Sequence, residues 1–210
     1  MHGRRGTWLA GGIGLIACGV VGVIRSALLG APEANTVLTL LADVLWAVSI
    51  LLVAVGRDRH DSVVARRPVG LVASAAVALW PLTHTVVGVF SEPISPAQVD
   101  AWMFWTYLSI VLPVIVGAIA ATQIARAGVV PAPWNWAPTW ALGAQVVIWV
   151  LPQLIGATAP NALAGAAGIV AALSMLGFVI VTFGLGILAV VLANRPRAAT
   201  VPVFTSPSRT

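Results

Sequence analysis

The chain has 210 residues, of which 60% are hydrophobic and 8% are charged, and its formal net charge is +5. A mean hydropathy of +1.00 excludes a water-soluble domain of ordinary composition and predicts an integral membrane protein. The basic residues are all arginines near the ends of apolar segments. We therefore expect them to contact anionic lipid head groups, and we predict no binding of nucleic acid.

Six apolar stretches are long enough to cross a bilayer, because about 20 apolar residues cover the hydrocarbon core as a helix. Their short connections predict antiparallel neighbours in one bundle. We therefore predict an all-α polytopic membrane protein with one six-helix transmembrane domain over residues 1–197 and a disordered cytoplasmic tail over 198–210. The predicted spans cover residues 7–29, 36–56, 68–90, 96–124, 136–155 and 161–193.

The segment from Arg57 to Arg67 carries four arginines between two apolar stretches. Short loops rich in Arg or Lys are retained on the cytoplasmic side of a membrane. Alternation from this loop places every other arginine except Arg25 on the same side. Together with a composition typical of a GC-rich bacterial genome, this pattern predicts a multi-pass protein of the bacterial inner (cell) membrane with both termini cytoplasmic.

The first apolar stretch has two interpretations. Residues Leu15 to Cys18 match a lipoprotein cleavage box, and cleavage there would leave five spans. The apolar run continues through Ile24 without a polar break, which favours an uncleaved helix. Small residues also recur every four positions, which lets another helix approach closely. They are Ala10, Gly14, Cys18, Gly22 and Ser26, and Gly168 belongs to a second such face in the sixth stretch.

Two helix starts have local signals. Asn35, after Pro32, is typical of the cap of the second helix. Ser95 to Gln98 reads Ser-Pro-Ala-Gln, which predicts a cap, a first-turn proline and a box-closing Gln for the fourth helix.

Asp43 is the polar residue that packing explains least well. It shares a face of the second helix with Thr36, Thr39 and Trp46. An ionised carboxylate at this depth costs on the order of 2 to 3 kcal/mol, so it needs a compensating partner. Arg25 lies near the same end of the preceding helix, and the simplest prediction is an Arg25–Asp43 ion pair. Such a pair is either structural or part of a polar pocket or proton path.

A polar pocket in the outer half of the bundle is the main candidate site. His84 lies on the third span, and Gln145, Trp149 and Gln153 recur every four residues on the fifth. Helix phase predicts a pocket built from Arg25, Asp43, His84 and Gln153. The other histidines lie on the opposite side, so neither a haem nor a metal site is predicted, and we predict no cofactor.

Three functional classes follow. The first is a non-enzymatic interaction or structural subunit that packs through Gly14, Cys18, Gly22 and Gly168, with itself as a homo-oligomer or with a partner membrane subunit. The second is a small transporter or solute-binding protein that uses the polar pocket, because intramembrane ionisable residues are functional candidates. The third is an intramembrane enzyme acting on an apolar substrate. No catalytic motif is present, so no catalytic residue is predicted.

Overall fold

A computed structural model describes residues 3–28, 32–58, 61–90, 99–158, 165 and 167–195. Within these ranges the fold is all-α, and six helices are long and apolar enough to cross a membrane, as predicted. The helices are α1 Gly3–Ala27, α2 Pro32–Val55, α3 Pro68–Phe90, α4 Val99–Ala127, α5 Ala137–Thr158 and α6 Ala167–Asn194, with a short 3-10 turn, Trp134–Trp136, before α5.

The helix boundaries agree with the predictions at α3 and differ elsewhere. The predicted cap at Asn35 is wrong, because α2 begins at Pro32, a residue that is favoured in the first turn of a helix. Asn35 lies inside α2, where its carbonyl accepts a hydrogen bond from Thr39 at 2.7 Å. Helix α4 continues to Ala127 because Gly128, with φ +68°, adopts the left-handed conformation that ends many helices. The predicted start at residues 95–98 and the tail 198–210 lie outside the described residues.

The six helices form a closed ring in chain order. In the described ranges each helix packs against its neighbours in sequence, and α1 closes the ring by packing against α6. Helices on opposite sides of the ring are not in contact within those ranges. We call the end of the ring that holds residues 56–58 and 61–67 the loop end and the opposite end the Arg25 end.

Glycines allow α1 to pack closely against both of its neighbours. Gly12 lies against the backbone of Gly186 on α6, and Gly11 lies against Val53 and the backbone of Ser49 on α2. A side chain at either glycine would collide with the neighbouring helix. As a result α1 is the most tightly packed helix of the ring. Its close contacts gain dispersion energy along both interfaces.

The connection between α2 and α3 folds over the loop end. Gly56, with φ +56°, turns the chain back, and Ser62 donates a hydrogen bond to the carbonyl of Ala54. The Arg66 guanidinium donates to the carbonyls of Val55, Gly56 and Arg57, which would otherwise lack a partner at the carboxyl end of α2. The described part of this connection, residues 56–58 and 61–67, therefore covers one end of the ring.

Candidate functional site

The ring of helices surrounds a central, partly open cavity of about 760 Å³. Contacting helices lie 8 to 10 Å apart, so opposite helices of a six-membered ring lie roughly 16 to 20 Å apart. A helix with its side chains is about 10 to 12 Å wide, so a space roughly 4 to 10 Å across remains at the centre of the ring. Every helix contributes to the wall. Representative lining residues are Cys18, Trp46, Ser74, Pro113, Trp149 and Leu185.

Hydrogen bonds join the polar side chains at the Arg25 end of the cavity. The Arg25 guanidinium donates to the Thr39 hydroxyl at 3.2 Å, and the Thr85 hydroxyl donates to the Asp43 carboxylate at 2.6 Å. The Asp43 carboxylate also lies within electrostatic range of Arg25 and His84. All five side chains line the cavity. This end therefore presents a cation, a carboxylate and an imidazole to the same cavity.

The structure gives Arg25 and Asp43 separate hydrogen-bond partners. Thr39 lies one turn before Asp43 on α2 and accepts from Arg25, whereas Asp43 accepts from Thr85 on the next helix of the ring. Each charged group thus has a neutral partner, and a direct Arg25–Asp43 ion pair remains a prediction.

The predicted polar stripe on α5 divides between the cavity and the outside. Gln145 and Trp149 line the cavity, whereas Gln153 is exposed and is not part of the wall. Four residues of a helix turn it by about 400°, so a four-residue repeat drifts by about 40° per step. Two steps from Gln145 rotate Gln153 by about 80°, away from the other predicted pocket residues. The structure brings together Arg25, Asp43 and His84 and leaves Gln153 apart.

A buried apolar cluster closes the cavity at the loop end. It consists of Trp8, Val63, Val130 and Leu192, and Trp8 is only 2% exposed. The Trp8 indole Nε1 donates a hydrogen bond to the Asp61 carbonyl at 2.6 Å, which ties α1 to the α2–α3 connection. Sequence reasoning did not identify Trp8 because its partners come from three distant parts of the chain. Thr85 was also missed, although its place beside His84 was an available signal.

The predicted packing residues face the chain's own helices, with one exception. Gly14 lies against Ser49, the Cys18 thiol donates to the Ala42 carbonyl at 3.3 Å, and Gly22 lies against Phe178. Gly168 is exposed, and a side chain there would meet nothing within 4 Å.

Among the described residues, no group of three or more His, Cys, Asp and Glu side chains is placed to hold a metal ion. Six apolar helices around a partly charged cavity fit a multi-pass membrane protein. No protein family, curated protein or solved structure matches the chain.

Proposed function

We propose that this protein binds a small solute in its central cavity, as a solute-binding or transport protein of the membrane. The observation that carries the proposal is a cavity of about 760 Å³ with Arg25, Asp43 and His84 gathered at one end. Ligand pockets commonly measure about 300 to 1,000 Å³ and combine apolar walls with a few converging polar groups. Ionisable side chains within membrane spans are costly, and a ligand that uses them explains their presence.

The same observations favour solute binding over the two other predicted classes, an interaction subunit and an enzyme. An interaction subunit was predicted from the small-residue stripe of α1, but Gly14 and Gly22 contact α2 and α6 of the same chain. A partner or a second copy would therefore need another face. An enzyme would need groups in the cavity wall that exchange protons. Among the described residues these are few, chiefly Asp43 and His84. Solute binding would use the central cavity and the charged groups at its Arg25 end, which the other two classes leave unexplained.

We further propose that the loop end faces the cytoplasm of a bacterial cell and that the Arg25 end faces outward. Exposed arginines gather at the loop end, which supports retention of that end on the cytoplasmic side. They include Arg57, Arg66, Arg67, Arg126 and Arg195. Anionic lipid head groups of the inner leaflet would then surround them.

Cysteine labelling in intact cells tests this orientation. Cys18 is buried and is the chain's one cysteine, so we expect the unchanged protein to resist a maleimide that cannot cross membranes. Glu33 and Asp58 are exposed at the Arg25 end and the loop end, respectively. We expect Glu33→Cys to label in intact cells and Asp58→Cys to label only after the membrane is broken. The reverse pattern would overturn the orientation and leave the cavity proposal unaffected.

A cavity-filling substitution tests solute binding. Ser109 lines the cavity about 15 Å along α4 from its first residue, which is near the middle of the ring. An indole at this position would block the central gap, so we expect Ser109→Trp to abolish retention of the molecule that copurifies with the protein. Native mass spectrometry of gently solubilised protein measures the retained mass.

Val111→Trp is the matched control. Val111 lies on the same helix, is 52% exposed and does not line the cavity, so the added ring meets the surroundings of the bundle. We expect Val111→Trp to retain the same ligand as the unchanged protein. A protein that carries no bound molecule, or a Ser109→Trp variant that retains it fully, would contradict the proposed function.

A further inference from the structure

We propose that the cavity holds a single-chain zwitterionic amphiphile, with its anionic group against Arg25, its ammonium against Asp43 and its hydrocarbon chain directed toward the loop end. This inference rests on the proposed function and deepens it by naming the class of ligand. It follows from the distribution of charge along the cavity and from the cavity's length and width.

Charge is confined to one end of the cavity. Apart from the Cys18 thiol, the charged or ionisable groups among the described lining residues are Arg25, Asp43 and His84, all at the Arg25 end. Toward the loop end the wall is mainly apolar, with residues such as Ile50, Val53 and Leu188, and it finishes at the cluster that contains Trp8. A ligand that matches this wall has a polar head and an apolar body.

The length of the cavity fits an extended hydrocarbon chain. Arg25 and Trp8 both line the wall and are 17 residues apart on α1, which corresponds to about 25 Å. The centre of a water molecule can occupy about 760 Å³ of the cavity, which over that length is a path roughly 6 Å across, so the free width is roughly 9 Å once a water radius is added on each side. This width lies within the gap expected for a ring of six helices and accommodates one extended chain.

The two opposite charges explain why the head should carry both signs. A guanidinium has five donors and a carboxylate about four acceptor positions. The described residues supply Thr39 to Arg25 and Thr85 to Asp43, so both groups retain unused hydrogen-bonding capacity toward the cavity. A purely anionic head would satisfy Arg25 and face the Asp43 carboxylate unfavourably. A head with an ammonium and a phosphate or carboxylate satisfies both, which matters because unpaired charge away from water is costly.

Comparison of matched ligands on the unchanged protein tests the head group. The full chain is purified in a steroid-based detergent, which has no alkyl chain to compete, and binding is measured by native mass spectrometry. We expect lauroyl lysophosphatidylethanolamine to bind at least tenfold more tightly than its N-acetylated form, which lacks the ammonium, and than lauroyl lysophosphatidylglycerol. Glycerophosphoethanolamine, which lacks the tail, should not bind detectably. An effect of N-acetylation smaller than twofold would overturn the proposal, and this comparison requires no variant to fold.

A second ligand distinguishes the two sources of the anionic group. Nε-lauroyl-lysine carries an ammonium and a carboxylate in place of the phosphate. If it binds more tightly than the lysophospholipid, the natural ligand is an acylated amino acid. If the lysophospholipid binds more tightly, the natural ligand is a phospholipid derivative. Either ligand supports a zwitterionic head only if it binds more tightly than the N-acetylated lipid.

Variants assign the two charges. We expect Asp43→Asn to remove the tenfold preference for the ammonium-bearing lipid, and lysophosphatidylglycerol should bind at least as tightly as before because the carboxylate that repels it is gone. Arg25→Gln should weaken the binding of both lipids at least tenfold. Glu33→Gln is the control, because Glu33 is exposed in the first turn of α2 and does not line the cavity. An Asp43→Asn protein that keeps the preference would contradict the assignment of the ammonium.

Failure of this inference can be separated from failure of the proposed function. If Ser109→Trp removes a copurifying molecule but the lipids show no charge preference, the cavity binds a solute of another class. If Ser109→Trp removes nothing and no lipid binds, both proposals fail.

Discussion

Gly186→Leu is expected to destabilise the protein by roughly 1 to 3 kcal/mol or more, because it forces apart the two helices that close the ring. A Cβ at residue 186 would lie 2.8 Å from the Ile16 side chain and 2.9 Å from the Gly12 carbonyl oxygen. The carbonyl belongs to the backbone of α1, so rotation of a side chain cannot relieve the collision. Separation of α1 from α6 would also displace Arg25 and open the cavity wall. Unfolding in denaturing detergent, followed by circular dichroism, measures the loss.

Gly184→Leu supplies the control for this prediction. Gly184 lies on the same helix two residues earlier, is exposed, and a side chain there would meet nothing within 4 Å. We expect its unfolding midpoint to stay close to that of the unchanged protein, since surface substitutions usually change stability by less than about 0.5 kcal/mol. Equal destabilisation by Gly184→Leu and Gly186→Leu would contradict the claim that the ring closes through the contact between α1 and α6.

Trp8→Ala is expected to cost about 3 to 5 kcal/mol, the range typical of removing a large buried aromatic side chain. Trp8 is 2% exposed in the cluster that closes the loop end, and its indole donates to the Asp61 carbonyl. The variant loses both the packing and the hydrogen bond, and the cavity becomes accessible from the loop end. Faster modification of Cys18, which is buried and lines the cavity, would report this opening independently of the melting temperature.

Two further variants test the cause of the Trp8 effect. Trp140 is 78% exposed near the start of α5, so Trp140→Ala should leave stability and Cys18 reactivity nearly unchanged. Trp8→Phe retains an aromatic ring and removes the donor, so we expect a smaller loss that includes about 1 kcal/mol for the hydrogen bond. If the Trp8→Ala variant has the same melting temperature as the unchanged protein, the loop-end cluster does not stabilise the fold.

Local signals in the sequence determined which segments are helices. Hydropathy over about 20 residues identified six spans, and Pro68 and Phe90 bound α3 as predicted. Where the ends differ, as at Pro32 and Ala127, the deciding residue was still local, namely a first-turn proline and a glycine with positive φ. The predictions for Arg25, Asp43 and His84 also used local information, because each is a rare ionisable residue within an apolar segment.

Only the tertiary structure decided how these segments are used. The closure of α1 on α6 turned a bundle into a ring, and the ring created a cavity that no single helix specifies. The same arrangement directed the α1 glycines toward α2 and α6, paired Arg25 with Thr39 and Asp43 with Thr85, and left Gln153 outside the wall. The physical reason is that hydropathy and capping act within a few residues of chain. The contacts of a side chain in a membrane bundle depend on helix rotation and on neighbours many residues away, and packing of the whole ring sets both.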